Sequence, residues 1–248
     1  MDLKQFWTEH PKAAIAFSGG VDSAYLLYSA VKAGARVKAY YAKTAFQPQF
    51  ELEDAVRLAE NVGAEMEVLE IDVLNVPCVA ENPKNRCYYC KKALFSAISA
   101  AAEADGFDLI LDGTNASDDA GDRPGMKALG ELAVRSPLRE CGLTKEEIRC
   151  RSKEAGLFTH DKPAYACLAT RIPTGEVITR EKLARTEEAE DFLRTLGLRD
   201  FRVRTFHDTA RVQVVADELG IVLENREKIV NRLKRVYSGV LLDLEVRA

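Results

Sequence analysis

The stretch Ala14-Ile15-Ala16-Phe17-Ser18-Gly19-Gly20-Val21-Asp22-Ser23 decides how the rest of the chain is interpreted. Residues 13–17 form an apolar run of the length of a buried strand, and residues 21–32 continue with apolar side chains at helical spacing. The two glycines permit positive φ angles and a close approach of the backbone to a phosphate. A strand, a glycine turn and a helix start aim free N–H groups and the positive end of a helix at an anion. The pattern predicts a phosphate-binding loop with serine hydroxyls at both ends.

This loop is not a Walker A motif, because the G-x-x-x-x-G-K-[ST] pattern and its lysine are absent. The plainer alternative is an ordinary strand-to-helix turn, in which Asp22 or Ser23 only caps the helix. Ser-Gly-Gly-Val-Asp-Ser after a buried-type strand is more specific than a glycine pair and favours phosphate binding. The stretch resembles the PP-loop of the ATP pyrophosphatases. These enzymes cleave ATP between the α and β phosphates, adenylate a substrate and hold the leaving pyrophosphate on this loop.

Composition and charge narrow the class of protein. Of the 248 residues, 47% are hydrophobic and 30% are charged, as in an ordinary globular protein, and the formal net charge is −4. Nucleic acid is therefore not an expected partner, because there is no basic excess to neutralise phosphates. The N-terminus lacks the apolar core of a signal peptide, and no apolar run approaches membrane-spanning length, so we expect a cytoplasmic protein without a membrane partner.

Strands alternate with helices through the first part of the chain. This alternation predicts an α/β domain over residues 1–175, with a parallel sheet covered by helices on both faces. Within it, Thr144 with Glu147 three residues later predicts a capping box at the start of a helix. Ligands bind at the carboxyl ends of the strands in such a sheet, and residues 18–23, 42–43 and 113–115 each follow a predicted strand. From residue 176 to 248 the pattern predicts a small α+β domain. Its expected elements are a charged helix over 180–196, strands over 201–206 and 211–215, a helix over 217–235 and a last strand over 239–246.

The cysteines allow more than one kind of site. Cys87 and Cys90 form a C-x-x-C at the start of a helix predicted over 85–105, and Cys167 lies far along the chain. A structural zinc site needs four ligands, and a dithiol redox pair leaves Cys167 unused. A 4Fe–4S cluster with one open iron would use all three cysteines as thiolate ligands. Spacing alone favours neither the zinc site nor the cluster. The remaining cysteines are isolated and are interpreted as small buried hydrophobes: Cys78, Cys141 and Cys150.

Further segments along nearly the whole chain are similar to the LarE-type sulfur transferases. They are Asp112-Gly113-Thr114-Asn115-Ala116, Arg123-Pro124-Gly125, Ser136-Pro137-Leu138, Ala166-Cys167-Leu168-Ala169-Thr170-Arg171-Ile172-Pro173 and Phe201-Arg202-Val203-Arg204. Enzymes of this family thiolate the precursor of the nickel-pincer nucleotide cofactor of lactate racemase, with ATP and Mg²⁺. The resemblance implies that a carboxylate of pyridinium-3,5-biscarboxylic acid mononucleotide is adenylated, and that the chain forms a homo-oligomer.

The resemblance also assigns residues. It implies that ATP is bound by Ala16, Phe17, Ser18, Gly19, Gly20, Val21, Asp22, Ser23, Lys43, Gly113, Thr114, Asn115 and Arg123. Arg202 and Arg204, on one face of a predicted strand, would hold the substrate phosphate, with a solvated strand face as the alternative. Asp22, Glu190 and Cys167 would be catalytic, although the acidic neighbours of Glu190 suggest a solvated helix face almost as strongly.

For the sulfur, the resemblance leaves two routes. Family members without a C-x-x-C sacrifice the cysteine that corresponds to Cys167, which becomes dehydroalanine. Members with the three cysteines hold a 4Fe–4S cluster that takes up sulfide, which implies that Cys87, Cys90 and Cys167 are cluster ligands here. A tRNA-thiolating PP-loop enzyme is the remaining alternative, although the acidic balance of the chain is against it.

Overall fold

The computed structural model describes residues 2–118 and 129–247. Backbone contacts divide the chain into two compact units, Met1–Val79 with Asn85–Lys162, and Ala80–Lys84 with Pro163–Ala248. The domain boundary predicted after residue 175 falls inside the second of these units. No described helix combines the length and the apolar character that crossing a bilayer requires.

The first unit is built on a parallel sheet, as the alternating pattern predicts. Its elements are α1 (Leu3–Glu9), β1 (Lys12–Ala16), α2 (Val21–Lys32), β2 (Arg36–Lys43), α3 (Gln49–Val62), β3 (Glu65–Glu70), α4 (Arg86–Ala104), β4 (Ile110–Leu111), α5 (Pro137–Glu140) and α6 (Lys145–Glu154). The strand order is β3-β2-β1-β4, and every neighbouring pair is parallel. Strand β1 is therefore central, and its carboxyl end leads directly into the glycine turn.

Helices cover both faces of this sheet, because alternate side chains of β1 point to opposite sides. Ala13 and Ile15 belong to a core that includes buried leucines of α2 and α3. Ala14 belongs to a separate core with Ile98 and Ala102 of α4. The predicted α/β fold with a doubly covered parallel sheet is thus confirmed.

The second unit has a mixed sheet of three strands. Its elements are α7 (Arg180–Thr195), β5 (Phe201–Phe206), β6 (Thr209–Val214), α8 (Leu219–Glu224), α9 (Arg226–Leu233) and β7 (Gly239–Leu242). Strand β5 is antiparallel to β6, which is parallel to β7. The prediction of one helix over 217–235 is wrong, because the chain breaks at Asn225, whose side chain donates back to the Ile221 carbonyl (2.9 Å). The predicted last strand is shorter and ends at Leu242.

A five-residue segment from the first half of the chain, Ala80–Lys84, is part of the second unit. Asn82 is 1% exposed and donates its side-chain amide to the carbonyls of Ile172 (3.3 Å) and Pro173 (2.8 Å). Its own carbonyl accepts from the Gly175 N–H (2.8 Å), and the Ala80 carbonyl accepts from Ile178. Residues 80–84 are therefore hydrogen-bonded to a segment that lies about ninety positions later in the sequence.

Candidate functional site

The predicted phosphate loop lies between β1 and α2 and is shaped by hydrogen bonds among its own residues. The Ser18 N–H donates to Ser23 Oγ (3.3 Å), the two hydroxyl oxygens lie 3.1 Å apart, and the Ser23 hydroxyl donates to the Gly20 carbonyl (3.2 Å). Gly20 is the N-cap of α2, and among the described residues no side chain caps this helix. The start of the helix thus presents N–H groups and the positive end of the macrodipole to an anion.

Glycine is required at position 19 for two separate reasons. Gly19 has a φ of +69°, a backbone angle that residues with a Cβ rarely adopt. A Cβ at this position would also lie 2.9 Å from the Cβ of Ala55 on α3. The loop is therefore packed tightly against α3, and its backbone conformation depends on the missing side chain.

The residues after β4 contact the start of α2, as their shared position at strand ends predicts. A Cβ on Gly113 would lie 2.8 Å from the Ser23 backbone nitrogen, so only glycine permits this approach. Asn115 is 1% exposed and donates its side-chain amide to Asp22 Oδ1 (3.3 Å). Thr114 donates its N–H (3.2 Å) and its hydroxyl to the Asp112 carboxylate, which fixes the turn. The structure thus brings Asp22, Gly113 and Asn115 into one cluster.

Lys145, which the sequence analysis did not single out, completes this cluster. Its ammonium group lies 2.5 Å from Asp22 Oδ2, and the Lys145 N–H donates to Ser117 Oγ (3.0 Å). The only local signal at this position was the capping box of Thr144 and Glu147, which the structure confirms. Nothing in the spacing pointed to Asp22, which lies 123 residues earlier.

The other predicted nucleotide-binding residues lie as follows. Ala16 ends β1, and the Phe17 N–H donates to the Tyr40 carbonyl of the neighbouring strand (2.9 Å). Lys43 ends β2, and its ammonium group donates to the Gln47 carbonyl (2.7 Å). Arg123 lies outside the described residues, together with the Arg-Pro-Gly motif that contains it.

Cys87 and Cys90 lie near the start of α4, three positions apart and hence on the same side of the helix. Cys87 is exposed and Cys90 is half-buried, and the Arg86 guanidinium lies 3.8 Å from Cys87 Sγ. Two sulfur ligands on one side of a helix end suit a metal site. Within residues 2–118 and 129–247, however, no group of three or more His, Cys, Asp or Glu side chains is arranged to hold a metal ion.

In the second unit, a buried ion pair supports the segment that contains Cys167. Arg171 and Glu190 are each 1% exposed. Arg171 donates Nε to Glu190 Oε1 (2.8 Å) and Nη2 to Oε2 (3.2 Å). Glu190 also accepts from the Tyr165 hydroxyl (2.6 Å) and from the Val203 N–H (2.9 Å). The alternative of a solvated position for Glu190 is therefore wrong, because its carboxylate is the centre of a buried network.

This network holds the backbone on both sides of Cys167. Arg171 Nη1 donates to the Ala166 carbonyl (2.9 Å), and the Thr170 hydroxyl donates to the Cys167 carbonyl (2.8 Å). Burial alone lowers the pKa of Arg171, but hydrogen bonds and attraction to Glu190 raise it above its usual range. Arg171 is thus a permanent cation that positions a half-buried cysteine at the start of the 3₁₀ turn Leu168–Arg171.

Arg202 and Arg204 lie two positions apart on β5 and donate to the same segment. Arg202 is 4% exposed and donates to the Ala164 carbonyl, and Arg204 donates to the Thr170 carbonyl (2.7 Å). The alternative of a solvated strand face is therefore wrong for Arg202. Burial, together with repulsion from other arginines, lowers the pKa of Arg202 to about 10 and also lowers the pKa of Arg204. Such a concentration of positive charge favours a bound anion.

The chain is similar in sequence to several known proteins. The family model of the queuosine biosynthesis protein QueC matches residues 12–79, which contain the phosphate loop. An uncharacterised protein of Synechocystis sp. is 39% identical over 88% of this chain and 82% of its own length. The pyridinium-3,5-bisthiocarboxylic acid mononucleotide synthase of Lactiplantibacillus plantarum is 32% identical over 94% of this chain and 86% of its own length. A tRNA-specific 2-thiouridylase of Thermotoga maritima is 28% identical over only 61% of this chain and 54% of its own length.

Proposed function

The chain belongs to the family of pyridinium-3,5-bisthiocarboxylic acid mononucleotide synthases, the LarE-type sulfur transferases, and we propose that it uses ATP to convert a carboxylate of pyridinium-3,5-biscarboxylic acid mononucleotide into a thiocarboxylate. The observation that carries this proposal is the Ser18–Ser23 loop at the carboxyl end of the central strand, within a match that spans nearly the whole chain. The 2-thiouridylase match covers the chain less completely and carries no second proposal.

Adenylation is the step that the first unit supports. A carboxylate oxygen of the substrate attacks the α-phosphorus of ATP, and the bond from that phosphorus to the bridging oxygen breaks, so that pyrophosphate leaves with the electron pair. The loop N–H groups and the start of α2 would bind this pyrophosphate. Mg²⁺ that accompanies ATP would neutralise phosphate charge, and the carboxylate of Asp22, in the first turn of α2, would hold it. The product is an acyl-adenylate, which is a good electrophile because AMP is a good leaving group.

Recognition of the mononucleotide phosphate is the part that we assign to the second unit. Arg202 and Arg204 are the proposed clamp, because their guanidinium groups are fixed by backbone carbonyls and their lowered pKa values reflect burial and repulsion that an anion would relieve. Glu190 is then a positioning residue that holds Arg171, rather than a group that touches the substrate. Cys167 would present its sulfur from the turn that Arg171 fixes.

The sulfur source is the finer part of the proposal. Cys87 and Cys90 fit two ligand positions of a 4Fe–4S cluster, since both lie on one side of the start of α4. We propose Cys167 as the third ligand on the family resemblance. When bound, such a cluster supplies an iron without a cysteine ligand, to which sulfide can bind. The resemblance to family members with three cysteines is the support for this set, and self-association of the chain into a homo-oligomer remains a prediction of the same kind.

A turnover experiment tests the proposal. Protein reconstituted anaerobically with iron and sulfide should release pyrophosphate and form more than one equivalent of thiolated product when it is given ATP, the mononucleotide and sulfide. Serine replacement of Cys87, Cys90 or Cys167 should remove both the iron and the multiple turnover. Cys150 is exposed on α6, so its interpretation as a buried residue is wrong, and Cys150→Ser should change neither property. No pyrophosphate release with the mononucleotide would refute the proposed function. A single turnover that leaves dehydroalanine at position 167 would refute the cluster and identify a sacrificial sulfur donor.

A further inference from the structure

We propose that Lys145 is a catalytic cation of the adenylation step: its ammonium group, paired with Asp22 beside the phosphate loop, binds the β- and γ-phosphates of ATP and stabilises the pyrophosphate that leaves. This inference rests on the ATP-dependent step of the proposed function. It places the positive charge of a residue on α6 beside a phosphate loop that lacks the lysine of a Walker A motif.

The first observation is the location of the ammonium group. Lys145 Nζ lies 2.5 Å from Asp22 Oδ2, and Asp22 belongs to the first turn of α2, the turn whose N–H groups are aimed at a phosphate. Both side chains are partly exposed, 35% for Lys145 and 21% for Asp22, so an incoming ligand has access to the pair. Asn115 holds the other carboxylate oxygen (3.3 Å). The charge of Lys145 is therefore adjacent to the anion site and is not buried in a permanent contact.

The second observation is that Lys145 occupies an unfavourable place in its own helix. It is the first residue of α6, where the macrodipole disfavours a cation and favours an anion. The two residues that follow it, Glu146 and Glu147, obey this preference. We attribute a lysine at this position to its contact with Asp22 beside the phosphate loop.

The third observation is that only the side chain of Lys145 is free to adapt. Its backbone is fixed by the capping box of Thr144 and Glu147 and by its own N–H bond to Ser117 Oγ (3.0 Å). A flexible four-carbon stem on a fixed backbone lets the ammonium group turn from the carboxylate to a phosphate without any change in the fold.

The chemistry of the step favours such a charge beside the Mg²⁺ that accompanies ATP. When the bond between the α-phosphorus and the bridging oxygen breaks, the electron pair and its negative charge remain on the pyrophosphate. The loop supplies only partial charges from N–H groups, and Asp22 places a negative charge in the same turn. The ammonium group of Lys145 offsets both negative charges, and it does so most strongly as the leaving group forms.

Pyrophosphate binding tests this role without the mononucleotide, the sulfur source or a metal ion. Pyrophosphate is titrated calorimetrically into the full-length protein in EDTA, for the wild type, Lys145→Ala, Lys145→Arg and Lys153→Ala. Lys153 is the matched control, because it is an exposed lysine in the last turn of the same helix. Lys145→Ala should bind roughly 10- to 100-fold more weakly, the loss of one charge-assisted hydrogen bond. Lys145→Arg should retain part of the affinity, and Lys153→Ala should match the wild type.

The Asp22→Asn background separates direct contact from mere support of Asp22. If Lys145 contacts phosphate, Asp22→Asn releases the ammonium group and pyrophosphate binds more tightly than in the wild type. Adding Lys145→Ala to that variant should then remove the gain. The proposal is overturned if Lys145→Ala behaves like Lys153→Ala, or if it has no effect once position 22 is Asn. Absence of thiolation by the wild-type protein, with the expected pyrophosphate affinities, would instead refute the proposed function and leave the role of Lys145 in place. Thermal unfolding midpoints verify that each variant is folded.

Discussion

Replacing Glu190 by Gln removes one member of the buried ion pair while keeping the shape of the side chain. The carboxylate accepts two hydrogen bonds from Arg171, one from Tyr165 and one from Val203. Glutamine has one acceptor oxygen and a donor NH₂ group, so it turns a donor toward the Arg171 guanidinium and leaves that buried charge without a counter-charge. Removal of one partner from a buried pair costs about 3–5 kcal/mol. This is a large part of the unfolding free energy of a typical domain, about 5–15 kcal/mol.

A matched control lies two residues away on the same helix. Glu188 also pairs with an arginine, Arg232 (3.1 Å), but the two side chains are 41% and 35% exposed. An exposed pair contributes at most about 1 kcal/mol, so Glu188→Gln should be nearly neutral. The pairing partner is the same type of residue in both cases, and only the burial differs.

Urea unfolding followed by two signals is the assay. The only tryptophan of the chain, Trp7, lies in α1 and reports on the first unit, whereas far-ultraviolet circular dichroism reports on both units. Glu190→Gln should shift the circular dichroism transition and leave the Trp7 transition at its wild-type midpoint. Adding Arg171→Met should recover part of the loss, because the unpaired charge is then removed as well. Equal stability of Glu190→Gln and Glu188→Gln would refute the reasoning, as would a double variant that is less stable than Glu190→Gln alone.

Three further predictions concern the loop, the arginine clamp and the helix start. Gly19→Ala should destabilise the protein by about 1–2 kcal/mol through its positive φ, with an added cost from the Ala55 contact. In a double-mutant cycle by urea unfolding, in which the helix cost of Ala55→Gly cancels, the two changes should show a favourable coupling energy, and zero coupling would contradict the contact. Sulfate should raise the thermal unfolding midpoint of the protein above its value in sodium chloride of equal ionic strength. The reason is that an anion relieves the repulsion that lowers the pKa of Arg202 and Arg204. If sulfate stabilises Arg204→Gln as much as the wild type, the clamp is excluded. Thr144→Ala should cost about 1 kcal/mol of unfolding free energy through loss of the capping box, whereas Thr144→Ser should stay close to the wild type.

Local patterns predicted the parts of the fold that local interactions determine. The strand, turn and helix over residues 13–32 were predictable because apolar spacing and a glycine pair specify them within twenty positions. The capping box at Thr144 was predictable for the same reason. The break at Asn225 was not, because residues 217–235 contain only Gly220 as a helix breaker, and Gly220 lies inside α8, away from the break.

The candidate site shows the complementary limit. Residues 187–191 include four acidic side chains on α7, and the sequence does not distinguish the buried one from the exposed ones. Glu190 is buried because Arg171 and Val203, from other segments, converge on it. Lys145 was missed because its partner is 123 positions away. Contacts between distant segments, rather than local patterns, thus decide which charged residues belong to the site.

The attachment of residues 80–84 to the second unit has a consequence for how this protein can be divided. A single cut after Lys162 does not release two modules, because the C-terminal piece would lack the segment whose Asn82 bonds to Ile172 and Pro173. During synthesis on the ribosome, Asn82 emerges long before these carbonyls exist, so the contacts of residues 80–84 with the second unit form only after the later stretch has been made. Gene fusions or shuffling experiments that exchange the C-terminal region alone should therefore yield poorly folded chimaeras, and exchange of residues 80–84 along with it should restore folding.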